Sequence, residues 1–155
     1  MINISVVTDE LSGDPETAIE VGVGWGVRHF ELRGIHTDRV PLLSKYQKHQ
    51  LRNVLNDYGA EIIALSPGLF KMAYPPKASY RWSFGCLDAA SFESWSEAHR
   101  QVQYHLQELL PAALDYAGEL GAKRVVIFAF ARGEAEPGAP PEEICNTLRL
   151  AAERL

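Results

Sequence analysis

Cysteine is scarce, which excludes a fold held by disulfides. Cys86 and Cys145 lie far apart, form no CxxC pair, and are expected as free thiols in a reducing compartment. No apolar run approaches the roughly 20 residues of a membrane helix. The start, Met1-Ile2-Asn3-Ile4, has neither a basic leader nor a small-residue cleavage site. A cytoplasmic protein is expected, and Asn3-Ile4-Ser5 is then a chance glycosylation sequon inside a strand. Positive charge is also short: 15 Lys and Arg face 20 Asp and Glu, a net charge of −5. Such a balance gives no field to draw phosphate backbones or anionic lipids, so neither nucleic acid nor membrane is expected as a partner. HExxH, the EF-hand loop, the GxSxG elbow and the Walker lysine are all missing. Gly22-Val23-Gly24-Trp25-Gly26 is not a dinucleotide loop, because Val27 stands in the third glycine's place and the order is helix then strand.

The composition is that of a globular protein, 46% apolar and 23% charged over 155 residues. One domain of that size buries about two-thirds of the surface its unfolded chain exposes. Ile2 to Val7 reads as a first strand, with Ile2, Ile4 and Val6 on one face and Asn3, Ser5, Val7 and Asp9 on the other. Asp14-Pro15-Glu16 supplies an N-cap, a first-turn proline and an acidic first turn for a helix toward Gly24. The second strand covers Val27 to Gly34, with Phe30 and Leu32 on one face and His29, Glu31 and Arg33 on the other. Leu51, Val54, Leu55 and Tyr58 predict a helix from about Ser44 to Tyr58, and Gly59 suits its C′ position.

The third strand spans Glu61 to Ser66. Pro67-Gly68 is expected to break the backbone there and open an irregular segment to about Ala90, rich in aromatics, including Phe70, Trp82 and Phe84. A helical stretch from about Phe92 to Leu120 contains Pro111, which should kink or divide it. Arg124 to Phe130 is the fourth strand. After a Gly/Pro loop from Gly133 to Pro141, a last helix begins at Glu142, and its apolar face is still present at Leu155 without a C-cap.

A βα unit repeated four times implies a parallel sheet with right-handed crossovers. Two architectures fit: an open doubly wound sheet, or part of a (β/α)8 barrel, which needs eight strands and roughly 250 residues. The polar faces of the first two strands favour the barrel, since an open sheet more often buries aliphatic residues on both faces.

Thr8-Asp9-Glu10-Leu11, Gly26-Val27-Arg28-His29-Phe30-Glu31-Leu32-Arg33, Tyr58-Gly59-Ala60-Glu61-Ile62 and Ala117-Gly118-Glu119-Leu120-Gly121-Ala122-Lys123-Arg124-Val125-Val126 together resemble the N-terminal half of the xylose-isomerase-like TIM barrels. That superfamily contains sugar and sugar-phosphate isomerases and epimerases, inosose dehydratase-like enzymes and endonuclease IV. The resemblance implies an α/β fold, a parallel (βα)4 unit corresponding to the first half of a TIM barrel. It also implies a divalent metal (Mn, Mg, Co or Zn) and acid/base glutamates, which in the isomerase branch sit on strands five to eight. This chain alone is therefore expected to hold no metal and to supply substrate-binding residues for a small sugar or polyol. A homodimer, a partner chain or a missing C-terminal half is expected to complete the barrel; a non-catalytic half-barrel is the alternative. Endonuclease IV-like members place metal-binding histidines at the ends of strands three and four, where this sequence has Ser66 and Ala129-Phe130.

Barrel active sites form at the C-terminal ends of the strands. Glu31 and Arg33 fall there, either gripping substrate hydroxyls or a phosphate, or paired with each other as a barrel-interior ion pair. His36 follows on the loop at the mouth, where a solvated histidine is the competing account. Asp9, Ser66 and Arg132 occupy corresponding strand ends, and Ser66 also suits a cap of the Pro67-Gly68 turn. Trp82 and its aromatic neighbours suit an apolar wall for a sugar ring, or a small loop core. His29, His49, His99 and His105 are placed low in the barrel or on helices, without a metal-binding spacing.

Overall fold

The computed structural model describes residues 4–72, 95–130 and 142–154. It has an α/β fold in which a four-stranded parallel sheet alternates with helices. The sheet strands are β1 (Ser5–Val7), β2 (His29–Leu32), β5 (Glu61–Leu69) and β6 (Val125–Ile127), and they lie side by side in that order. A two-residue pair, β3 (Gly34–Ile35) with β4 (Asp38–Arg39), forms a separate antiparallel hairpin. The helices are α1 (Thr8–Leu11), α2 (Pro15–Gly24), α3 (Lys45–Tyr58), α4 (Trp95–Tyr104), α5 (Leu110–Leu120) and α6 (Glu142–Ala152). None of those described is long and apolar enough to cross a membrane.

The chain divides into two compact units, residues 1–67 with 112–126 and residues 68–111 with 127–155. In the first, β2 alternates as its sequence requires: Phe30 and Leu32 are fully buried while His29 and Glu31 are half-buried. They join Ile19 of α2, Leu51 and Val54 of α3, Leu65 of β5 and Tyr116 of α5 in one apolar core. The ends of α2 and α3 follow local chemistry. Asp14 accepts from the Thr17 backbone N–H at 2.9 Å. Ser44 and Gln47 form a reciprocal capping box, and the Gln47 amide also donates to Asp38 at 2.8 Å, tying α3 to the hairpin. Lys48 of α3 places its ammonium 4.1 Å from the Tyr116 ring centroid. Burial pushes the Tyr116 phenol up to about 12, its hydroxyl having no partner among the described residues.

The structure departs from the sequence reading at four places. A short helix, α1, follows β1 directly, because Thr8-Asp9-Glu10-Leu11 is short enough to close as a single turn. The β3–β4 hairpin also went unread, its strands being only two residues each. Pro67-Gly68 does not end its strand: β5 continues to Leu69, with Gly68 at φ 79° absorbing the irregularity and Leu69 O accepting from Phe128 N–H at 2.9 Å. The long helix is divided, but before Pro111, by a π-helical turn over His105–Leu109. Proline cannot donate to the carbonyl four residues back and its ring crowds that oxygen. The wider turn, closed by Leu110 N–H to His105 O, relieves the conflict.

Gly22 marks the closest approach of α2 to β2. A Cβ there would lie 2.5 Å from Cε1 of the fully buried Phe30 ring, whereas one at Gly24 would meet nothing within 4 Å. Gly22→Ala is expected to destabilise the protein by about 1–3 kcal/mol through overpacking. Gly24→Ala should be neutral or slightly stabilising. Urea midpoints of the two variants check the contrast, and equal midpoints would contradict this packing.

Candidate functional site

Register brings the site together. β1 and β2 run parallel with Val7 opposite Glu31, so Asp9 and Arg33, each two residues further on, emerge at the same end of the sheet. Arg33 Nε donates to Asp9 Oδ2 at 2.7 Å and Arg33 Nη2 donates to Glu10 Oε1 at 2.8 Å. The Arg33 and Asp9 side chains are only 19% and 23% exposed, so this pair is shielded from the screening that weakens surface ion pairs. Burial pulls the Arg33 guanidinium down, but Asp9 and then Glu10 outweigh it and hold the group above its ordinary value.

The hairpin carries a second arginine alongside. Arg39 of β4 pairs with Gly34 of β3, and Val40 N–H donates to Arg33 O at 3.2 Å. That closeness needs glycine: a Cβ on Gly34 would stand 2.6 Å from the backbone oxygen of Asp38. Arg39 is half-buried and, among the described residues, makes no ion pair or side-chain hydrogen bond. Burial, then repulsion from Arg33, holds it below its ordinary value, with Asp9 partly offsetting them. Two buried polar atoms at this end also lack partners among the described residues, Thr8 Oγ1 and Asp9 Oδ1.

The residues singled out from the sequence separate into three groups. Asp9 and Arg33 meet as described. Glu31 does not pair with Arg33, whose two carboxylate partners come from α1; Glu31 is half-buried and makes no ion pair among the described residues. His36 forms the hairpin turn with φ 53°, the left-handed backbone favoured in tight hairpins, and its N–H donates to Gly13 O at 2.7 Å. Its side chain is exposed, and the Asp14 carboxyl is held below its ordinary value first by the Thr17 hydrogen bond and in smaller part by the nearness of His36. Ser66 is buried within β5 and caps no turn, because the strand continues past it. Trp82 and Arg132 lie outside the described residues. Glu10, Thr8 and Arg39 were missed. Glu10 and Thr8 needed the α1 turn, and Arg39 needed the hairpin that folds it back beside Arg33.

The divalent metal implied by the resemblance finds no ligand set here. Among the described residues no group of three or more His, Cys, Asp or Glu comes together, and both α1 carboxylates already accept from Arg33. The described residues at this end do not fit a metal.

Two other features lie away from this end. A groove of about 540 Å³ opens at the N-terminal ends of β2 and β5, lined by His29, Glu61, Arg52, Glu119, Lys123 and Arg124. It is at the opposite end of β2 from Arg33, the end that in barrels serves stability. In the second unit, His105 accepts the Phe70 backbone N–H at Nδ1 over 2.8 Å, which leaves Nε2 to carry the ring proton. Phe70 and Phe130 both hold left-handed backbones, φ 55° and 58°, and their rings stack with centroids 5.3 Å apart.

No protein-family profile and no curated protein sequence matches the chain.

His105 gives this structure an acid sensitivity. Burial lowers its pKa below the ordinary 6.5, so the unfolded chain binds the proton more readily than the folded one. The stability of the neutral form is fully present above about pH 6.5 and is lost as pH falls through the folded value. Urea midpoints should therefore drop between pH 7.5 and 5.0, and His105→Gln should drop less. An identical pH dependence in the variant would contradict the Phe70–His105 bond.

Proposed function

We propose that this chain forms the substrate-gripping part of a sugar or sugar-phosphate isomerase/epimerase-like (β/α)8 barrel. The single observation that carries the reading is the Arg33 fork at the C-terminal ends of β1 and β2. There, an arginine is held still by Asp9 and Glu10 while unused N–H donors remain on it. In barrels, that end of the sheet is where ligands bind. Asp9 Oδ1 and Thr8 Oγ1 add an acceptor and a hydroxyl whose hydrogen bonds are unmade, the complement of a polyhydroxylated ligand. Four further strands, from a longer polypeptide, a second copy or a partner chain, would continue the sheet past the outer strands β1 and β6.

In the chemistry this reading implies, a proton moves next to a carbonyl, and a divalent metal held by the remaining strands would polarise the oxygens. The part played by this chain is orientation: Arg33, and Glu31 beside it, fix the hydroxyls so that the reacting carbon meets groups carried elsewhere. The net charge of −5 and the serine at position 66 favour a small ligand over a nucleic acid.

Titration of the 155-residue chain with ribitol, followed by amide NMR, is expected to shift Thr8, Asp9, Glu10 and Arg33 saturably. Arg33→Ala should abolish those shifts, and the wild-type chain should show no isomerisation with added Mn²⁺, Mg²⁺ or Co²⁺. Saturable binding that leaves these amides unmoved, or robust turnover by the chain alone, would overturn the reading.

A further inference from the structure

Arg33 and Arg39 sit side by side but in opposite electrostatic situations. Arg33 answers two carboxylates, at 2.7 and 2.8 Å. Arg39, also half-buried, answers none among the described residues and keeps all five of its N–H donors from them. A partly desolvated cation without a counter-ion is unfavourable in the free protein, and the gap is closed when an anion arrives. Asp9 offsets this only in part, since its Oδ2 is taken by Arg33 and its Oδ1 makes no hydrogen bond among the described residues. Glu31 makes no ion pair among the described residues either, although the strand that carries it leads into Arg33.

We infer that Arg39 is the anion anchor of this site, taking the oxyanion of a small hydroxylated ligand while Thr8 Oγ1 and Asp9 Oδ1 receive its hydroxyls. The inference rests on the functional reading above and deepens it, because it assigns the ligand a charge. The planar guanidinium offers parallel N–H donors that match a phosphate or carboxylate edge. The unmade bonds at Thr8 and Asp9 call for hydroxyls, a carboxylate oxygen being able only to accept. An oxyanion with no hydroxyls would satisfy the cation alone, and an uncharged polyol would satisfy the orphans alone. A ligand carrying both answers Arg39, Thr8 and Asp9 together, the groups at this end left without partners among the described residues.

The test compares ribitol, ribitol 5-phosphate and ribonate against the full chain by calorimetry. At least one charged ligand is expected to bind about tenfold more tightly than ribitol, the worth of one charge-assisted contact. The stronger of the two identifies phosphate or carboxylate as the natural group. In Arg39→Gln that advantage should vanish, and Arg39→Lys should restore part of it. Equal affinities for all three ligands in the wild-type chain would overturn the inference but leave the polyol reading standing. A charged-ligand preference that survives Arg39→Gln would overturn it as well. Failure of all three to bind would remove the functional reading together with the inference. The wild-type comparison decides the matter even if Arg39→Gln does not fold.

Discussion

The arrangement at the end of β1 and β2 depends on one guanidinium. Among the described residues Arg33 alone touches both carboxylates of α1, at 2.7 and 2.8 Å, and it is the backbone neighbour of the β3–β4 hairpin through the bond from Val40 to its carbonyl. Three constraints converge on it. The parallel register of β1 and β2 sets it level with Asp9. The tight turn of α1 brings Glu10 around to its second nitrogen, and Gly34 lets the hairpin fold back at backbone contact distance. With the fork in place, a charged side chain at a strand end becomes a fixed donor rather than a mobile one. Preorganisation of that kind is what ligand recognition requires.

Large periodic features were legible in the sequence. The alternation of Phe30 and Leu32 against His29 and Glu31 placed β2 and its buried face, and both faces are as the pattern required. Asp14-Pro15 started α2, and the capping box at Ser44 and Gln47 started α3 close to where helical spacing put it. The sequence set Arg33 with Glu31 at one strand end and Asp9 with Ser66 and Arg132 at corresponding ones; that Asp9 and Arg33 stand level came only with the parallel register of β1 and β2. What was not legible was the identity of Arg33's partner. Glu31 lies closest on the strand, but a residue two positions away on one strand points along the same direction rather than toward Arg33. The carboxylates of α1 approach from the side. A two-residue strand has no periodicity to detect, so the hairpin and Arg39 with it stayed hidden. Pro67-Gly68 misled for a related reason: turn chemistry predicts a break, but a glycine at positive φ can instead absorb an irregularity inside a strand.

The second unit carries strain of another kind. Phe70 and Phe130 hold left-handed backbones that cost side-chain-bearing residues about 1 kcal/mol or more each. They are stacked on each other, and Phe70 is tied through its N–H to His105 at the head of a π-helical turn. His105 had no role in a reading based on helical spacing, since its partner is a backbone group more than thirty residues away in sequence. Pro111 was the only sequence signal nearby, and it marked the place without naming the residue. The two units thus use ionisable groups in contrasting ways: a charged arginine fixed by carboxylates in one, a neutral imidazole fixed by an amide in the other.

The most direct test of the account is a double-mutant cycle on Arg33 and Asp9, using Arg33→Ala, Asp9→Ala and the double variant in urea denaturation. A partly shielded, charge-assisted pair predicts a coupling of about 1 kcal/mol or more. Effects that add to within about 0.3 kcal/mol would show that the fork does not organise this end of the sheet.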